Sequence, residues 1–461
     1  MIKKNLIFAL SAQTVSFLFS ALMALLVPKL LNLEQYSYWQ LFVFLSSFVG
    51  FFHFGLSDGI YLRQGGIELK DFDNKGIASQ FYFMIAWQIV ICLCSFPILY
   101  HYVENENRLY VWINVAIYLI IANATWFWGY VFQAANKTSI YSISIIISKL
   151  TYIIFILLMI LLQTKSFKPY IAFFVVTQTI AFLYIAHQSK NFIFSKIYSI
   201  KKTVNLVISN IKTGINLTLS NISSMLMLGI GRFMVDFSLG IEFFGLLSLS
   251  LSLTNFFLQF LNQVSLVLFP ALRQMEPHTI TNLFLKLRAR LSLVLCFIPL
   301  CYIPLTECLS WWLPEYRLSL YYFAFLLPIC IFDGKMQLLL STYLKVLRKE
   351  RFLLLVNIVS LLLSTVFTGA GLFILKNIES VAMSMTIAIA IRSIIANLYI
   401  SKELSISYDK DSLWEIALVA LFLLSVNVFE NITAFLIYGC GYFIFILFHL
   451  KELDIFSQTK S

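Results

Sequence analysis

Apolar residues run along this chain in blocks of about 18 to 25, each long enough to cross a hydrocarbon core of roughly 30 Å as a helix. Short polar or charged stretches separate them. The pattern predicts fourteen spans, at 6–27, 38–57, 78–100, 110–133, 139–163, 170–187, 214–236, 243–270, 291–313, 318–344, 352–375, 380–400, 413–430 and 432–450. The blocks at 153–162 and 353–363 are almost continuously apolar. A membrane barrel is thereby excluded, since its strands alternate apolar and polar positions over ~10 residues. The first block is too long for a signal peptide, and no small-residue cleavage site precedes Pro28 and Lys29, so it is expected to stay as a span.

Composition agrees. Of 461 residues, 60% are apolar and 12% charged, with mean hydropathy +0.86. That leaves too little polar surface to cover a water-soluble globule. The fold class expected is an all-α polytopic membrane protein. The net charge of +11 invites a nucleic-acid reading, which its distribution removes. Of the 33 Lys and Arg, 23 fall in alternate connections on the side of the N-terminus, six on the other side and four inside spans. A basic excess on one side marks the cytoplasmic face, so both termini are expected inside and no nucleic-acid partner is expected.

Residues 188–213 carry Lys190, Lys196, Lys201, Lys202 and Lys212 without one acid. They read as a basic cytoplasmic linker on anionic membrane lipid. The linker separates an N-terminal six-helix lobe, 1–187, from a C-terminal one, 214–400. Residues 401–461 add two helices and a tail, peripheral to both. A short repeat supports the division. Leu31, Leu33, Glu34, Tyr36 and Ser37 match Leu239, Ile241, Glu242, Phe244 and Gly245 at a constant offset of 208. Six spans separate the copies, so the two lobes are expected to be parallel repeats.

Polar groups inside the spans carry the chemistry. In the eighth, Ser248, Ser252, Asn255, Gln259 and Asn262 recur every three or four residues and form a stripe down one helical face. Such a stripe suits a hydrated cavity, with interhelical hydrogen bonding as the simpler alternative. Gln13, Ser16 and Ser20 repeat it more weakly, as do Asn216, Ser220, Asn221 and Ser224. Four cations sit within apolar runs: Lys149, Arg232, Lys335 and Arg392. Each costs at least ~2.5 kcal/mol in hydrocarbon, so each is expected to face protein, a ligand or water. Arg232 has Asp236 one turn away. Asp333 lies two residues from Lys335, about 200° around the helix. Lys149 and Arg392 have no acid in their own span. Unpaired cations in both halves point to an anionic substrate, and Arg63 beside Asp58 extends the cationic surface toward the inner mouth. Asp236 and Asp333 are the candidate ion-pairing or coupling acids, the coupling ion being H⁺ or Na⁺. Trp126, Trp128 and Tyr130 fit an interfacial belt better than a sugar-stacking platform. The seven cysteines form no CxxC pair and read as small buried apolar residues, without a metal site or cofactor.

The segment LMALLVPKLLNLEQYSYWQLFVFLSSFVGFFHFGLSDGI at 22–60 resembles Wzx-type polysaccharide flippases. So do YVFQAANKTSIYS at 130–142 and GRFMVDFSLGIEFFGLLSLS at 231–250, followed by LFPALRQ at 268–274. These flippases belong to the multidrug/oligosaccharidyl-lipid/polysaccharide exporter superfamily, and the resemblance covers the whole chain. Asn32 and Ser37 stand where that family more commonly has glycine. The resemblance implies a MATE-like fold of two six-helix lobes around a V-shaped cavity. It also implies alternating access that carries an undecaprenyl-diphosphate-linked oligosaccharide from the cytoplasmic to the periplasmic leaflet. The expected setting is O-antigen or lipopolysaccharide synthesis at the bacterial inner membrane, with polysaccharide polymerase machinery as a further partner. Arg and Lys suit the phosphates, and the amide stripe suits sugar hydroxyls. The alternatives are a multidrug or lipid II exporter of the same fold, or, from another class, a membrane polysaccharide polymerase or O-acyltransferase. An enzyme is disfavoured because the external connections are short and none of the five His has a catalytic-looking partner.

Overall fold

The computed structural model describes the backbone of residues 2–273, 277–406 and 410–458, and their side chains except 2–4, 6, 260–280, 350, 410 and 450–458. Among these residues every regular element is helical. Twelve helices are long and apolar enough to cross a membrane. Two bent pairs, Leu33–His53 with Leu56–Gln64 (57°) and Pro314–Leu326 with Ile329–Val346 (47°), bring the number to fourteen if each is one span. These elements coincide with the fourteen apolar blocks. The chain is a multi-pass helical membrane protein.

It forms two compact units, Met1–Ile222 and Ser223–Ser461. The first contains α1 (Ile2–Leu30), α2 (Leu33–Ser47), α3 (Leu56–Gln64), α4 (Asn74–Tyr102), α5 (Glu106–Ala134), α6 (Thr138–Leu161), α7 (Phe167–Gln188), the short α8 (Lys190–Ile193) and the first half of α9 (Ile200–Leu239). The second contains the rest of α9, α10 (Ile241–Arg273), α11 (Pro277–Phe297), α12 (Tyr302–Trp312), α13 (Arg317–Leu326), α14 (Ile329–Lys335), α15 (Ser341–Val346), α16 (Glu350–Ala370), α17 (Ile378–Glu403), α18 (Lys410–Val428) and α19 (Asn431–Gln458). Inside each unit the packing order repeats. In the first, α5 packs on α2 and α7, and α7 on α6. In the second, α13 and α14 pack on α10 and α17, and α17 on α16.

The turns that open α2 and α10 occupy matching places in the repeat but reach them by different chemistry. Gly240 adopts φ +93°, which a side chain would oppose. Asn32 instead stays extended and caps α2 by accepting from the Gln35 amide at 2.9 Å. Asparagine therefore replaces glycine without a left-handed residue. Tyr36 and Phe244, four residues after these caps, are both fully buried.

Two features depart from the sequence reading. Residues 200–213, the second half of the expected linker at 188–213, are the first turns of α9, packed on α3 and α4. Asn210 donates to Gln80 at 2.5 Å, and the Tyr198 amide donates to Ser79 at 2.7 Å. The lysines 201, 202 and 212 occupy the exposed face, opposite the one packed on protein. The cysteines are also not uniformly buried. Cys296 and Cys330 are, whereas Cys94, Cys308 and Cys440 are exposed, a placement that costs little where the surroundings are lipid.

Between α2 and α3 the chain passes through Phe54 (φ 49°) and Gly55 (φ 84°), two successive left-handed residues that end any right-handed helix. α3 then runs against α9 closely enough that a methyl at Gly59 would meet the Asn210 carbonyl, and one at Gly214 the Gly55 carbonyl. Backbone cannot move aside as a side chain does. Gly59→Ala is expected to cost about 1–3 kcal/mol or more through forced separation of α3 from α9. Thermal unfolding in detergent checks this, and an unchanged midpoint would refute the contact.

Candidate functional site

Lys149 lies on α6 between α1 and α7. Its Nζ sits 4.2 Å from the centroid of the Phe19 ring and 5.7 Å from that of Phe174. Among the described residues no carboxylate lies within ion-pair distance of it. Behind these rings is a continuous aromatic layer. Tyr152 meets Phe19 at 5.6 Å and Phe174 at 5.3 Å, and Trp39 and Phe42 pack against Phe174 at 5.9 and 5.6 Å. Tyr152 is fixed by donating to the Tyr170 carbonyl at 3.0 Å. The ring faces attract the ammonium electrostatically and give it no counter-charge. A cation so placed retains its capacity for an anionic ligand.

Continuing along the same faces of α1 and α6 is a cavity of about 620 Å³. Asn5, Ala9, Ala12 and Gln13 of α1 line it, with Gln133 and Asn136 at the end of α5 and Thr138, Tyr141, Ser142 and Ile145 of α6. Ser142, Ile145 and Lys149 are spaced 3 and 4 residues apart and share one helical face, and Lys149 stands about 6 Å along the axis beyond Ile145. Gln13, the leading member of the weak polar stripe in the first span, thus opens into this cavity.

The cations of the second unit stand differently. Arg392 is 2% exposed; its Nη2 bonds Asp333 and its Nη1 donates to Ser224 at 3.0 Å. Gln337 donates to the other Asp333 oxygen. Lys335 is 1% exposed and holds both oxygens of Glu415, at 2.8 and 3.1 Å. Asp333 and Lys335 are neighbours on α14, and the 200° between them sends one to α17 and the other to α18. Ser292 donates to Glu415 at 2.5 Å. Arg288 Nε lies 3.3 Å from Asp411, whose other oxygen is 3.1 Å from His449 Nε2. The network balances three carboxylates against three fixed cations. It also anchors α18 and α19, which are therefore not peripheral.

The remaining sequence candidates are scattered. Arg232 and Asp236 are half-buried, one turn apart on α9. Arg63 is exposed and is held by Ser209 at 2.8 Å and Asn210 at 3.0 Å, at the α3–α9 contact. It does not face Asp58, which accepts from Thr218 at 2.6 Å. Trp128 is no belt residue: it is fully buried against Phe81 and Phe192, because α5 is the innermost helix of its unit. In the α10 stripe, Ser248 is fully buried and Asn255 and Gln259 are half-buried, while the side chain of Asn262 lies outside the described residues. The stripe faces about 140° away from Ser250 and Thr254, which bond α13 and α14. In a cysteine-free background, cysteines at 255 and 259 are expected to react with a water-soluble thiol reagent faster than one at Leu258, which is 4% exposed. Equal protection of all three would favour helix–helix hydrogen bonding.

Sequence reasoning missed Glu415, Asp411, Arg288 and His449. The available signal was Glu415 itself, an acid inside the thirteenth apolar block. Outside the spans, Lys349 meets Glu403 at 2.9 Å, and that carboxylate holds the ammonium above its ordinary pKa.

No protein-family model and no curated protein matches the sequence. Solved structures do match the fold. An inward-facing multidrug resistance MATE family transporter of the MOP superfamily aligns with TM-score 0.63 at 11% identity, covering 85% of this chain and 94% of its own. The lipid II flippase MurJ, in an inward closed conformation, aligns with TM-score 0.62 at 14% identity, covering 98% and 99%. A MOP superfamily transporter from Pyrococcus furiosus aligns at 0.55 and 12% identity, covering 88% and 95%.

Proposed function

The chain has the fold of MOP superfamily transporters, and from that premise we propose that it is a flippase for an undecaprenyl-diphosphate-linked oligosaccharide. It moves this lipid from the cytoplasmic to the opposite leaflet by alternating access, for surface polysaccharide synthesis at a bacterial inner membrane. The observation that carries the reading is Lys149, a membrane-embedded ammonium that faces rings and no described carboxylate, adjoining a cavity into which amide and hydroxyl side chains project. A diphosphate supplies the missing counter-charge, and its sugars need the hydrogen bonds that hydrocarbon withholds. A cationic drug is repelled by the same group. Deleting the gene and assaying which lipid-linked saccharide accumulates in the cytoplasmic leaflet tests the reading; no accumulation would remove it.

A second reading, lipid II as cargo, is favoured by one observation. The likeness to the lipid II flippase takes in α18 and α19 and covers 98% of the chain. Both cargoes join a polyprenyl diphosphate to sugars, and the accumulated species separates them.

Orientation follows from the basic residues. Reporter domains fused after Lys202 and after Lys349 are expected in the cytoplasm; either one on the far side would reject the N-in topology. In that topology the cavity, at the N-terminal ends of α1 and α6, opens toward the cytoplasm.

A further inference from the structure

The geometry points to the α1–α5–α6 cavity as the seat of an uncharged sugar, the one nearest the diphosphate of the lipid carrier. This rests on the proposed flippase reading and adds the chemical class of the head group. Every polar side chain among the described lining residues is an amide or a hydroxyl: Asn5, Gln13, Gln133, Asn136, Thr138, Tyr141 and Ser142. Each amide both donates and accepts, and each hydroxyl does either. A sugar, whose hydroxyls and acetamido groups do the same, finds partners in any rotation. A uronic acid or other acidic sugar finds no cation among these described lining residues, and its desolvation is then uncompensated.

The volume of about 620 Å³ lies within the roughly 300–1,000 Å³ typical of small-ligand sites. One wall is rigid. The Tyr141 ring lies on Gly129 of α5 so closely that a methyl there would enter the ring, so the ring cannot collapse toward α5. The Asn5 amide donates to the Asn136 carbonyl at 2.5 Å, joining the start of α1 to the end of α5 across the cavity. Lys149, on the same face of α6, stands about one turn beyond Ile145. Charge and hydrogen-bonding groups are thus separated along one path, with the anion position next to the neutral one. That order matches a molecule in which diphosphate adjoins sugar.

The test measures binding of three soluble probes to the full-length protein in nanodiscs: citronellyl diphosphate, the same bearing one N-acetylhexosamine, and the same bearing one hexuronic acid. The N-acetylhexosamine probe is expected to bind about tenfold tighter than the bare diphosphate. The hexuronic acid probe is expected to show no gain. Gln13→Leu and Gln133→Leu, each verified as monodisperse and thermally stable, are expected to abolish the sugar-dependent gain while leaving the affinity for citronellyl diphosphate within twofold. If the acidic probe binds as tightly as the neutral one, or if both variants keep the gain, the sugar seat is overturned and the flippase reading stands. If none of the probes binds, the polyprenyl-diphosphate reading fails and takes the sugar seat with it.

Discussion

Replacing Lys149 with glutamine is expected to lower transport at least tenfold while leaving thermal stability unchanged or raised. A charge-assisted hydrogen bond to a phosphate contributes about 1.5–3 kcal/mol, and losing one changes binding or rate by tenfold or more. The stability half of the expectation comes from the surroundings. Lys149 neutralises no described carboxylate, and its ammonium rests on Phe19 and Phe174. A neutral amide is easier to hold at membrane depth than an ammonium, and the modest cation–π attraction lost is of about the same size as the burial cost relieved. Surface-polysaccharide export measured beside unfolding in detergent checks both halves. Stability falling in step with export would make Lys149 a structural residue and remove it from the binding path.

For Lys335 and Arg392 the sign reverses. Read from its own span, each is an unpartnered cation whose removal relieves a burial cost. In the structure each faces a carboxylate from another helix, Glu415 on α18 and Asp333 on α14. Lys335→Gln leaves Glu415, with its side chain 2% exposed, without its cation; breaking a buried pair in this way costs about 3–5 kcal/mol. Arg392→Gln does the same to Asp333. Thermal unfolding is expected to show large losses for both single variants. The double change Lys335→Met with Glu415→Leu is expected to regain most of the loss, since well-packed apolar residues replace a buried pair at little cost. A Lys335→Gln protein as stable as the parent would contradict the pairing. Stranding Glu415 also loosens α18 from α11 and α14, so limited proteolysis near residue 410 is expected to accelerate in the same variant.

What the sequence disclosed and what it withheld divide along a physical line. The number and place of the helices were legible because a ~30 Å apolar layer imposes a run length that residues report one at a time. The bends after His53 and Leu326 were not, since they depend on left-handed backbone at Phe54 and Gly55 and on the turn before Ile329, inside runs that are apolar throughout. The embedded cations were legible as costly residues. Their partners were not, because Arg392–Asp333 spans 59 positions and Lys335–Glu415 spans 80, and apolar periodicity carries no record of which helix faces which. Lys149 stood out in the sequence for lacking an acid in its own helix. In the structure no described carboxylate reaches it from another helix either, which distinguishes it from the other two. Asn255 and Gln259 were legible as a stripe, and the half-burial of α10 on that side keeps a hydrated face the reading to test.

Reconstitution tests the central claim most directly. The purified protein is placed in liposomes with a fluorescently tagged undecaprenyl-diphosphate oligosaccharide, and the fraction of tag reached by an impermeant quencher is followed over time. Tag is expected to cross the bilayer at a rate proportional to protein content, with Lys149→Gln at least tenfold slower and a tagged sugar-free phospholipid left uncatalysed. Equal movement of the phospholipid, or movement of the oligosaccharide lipid no faster than in protein-free liposomes, would contradict that claim.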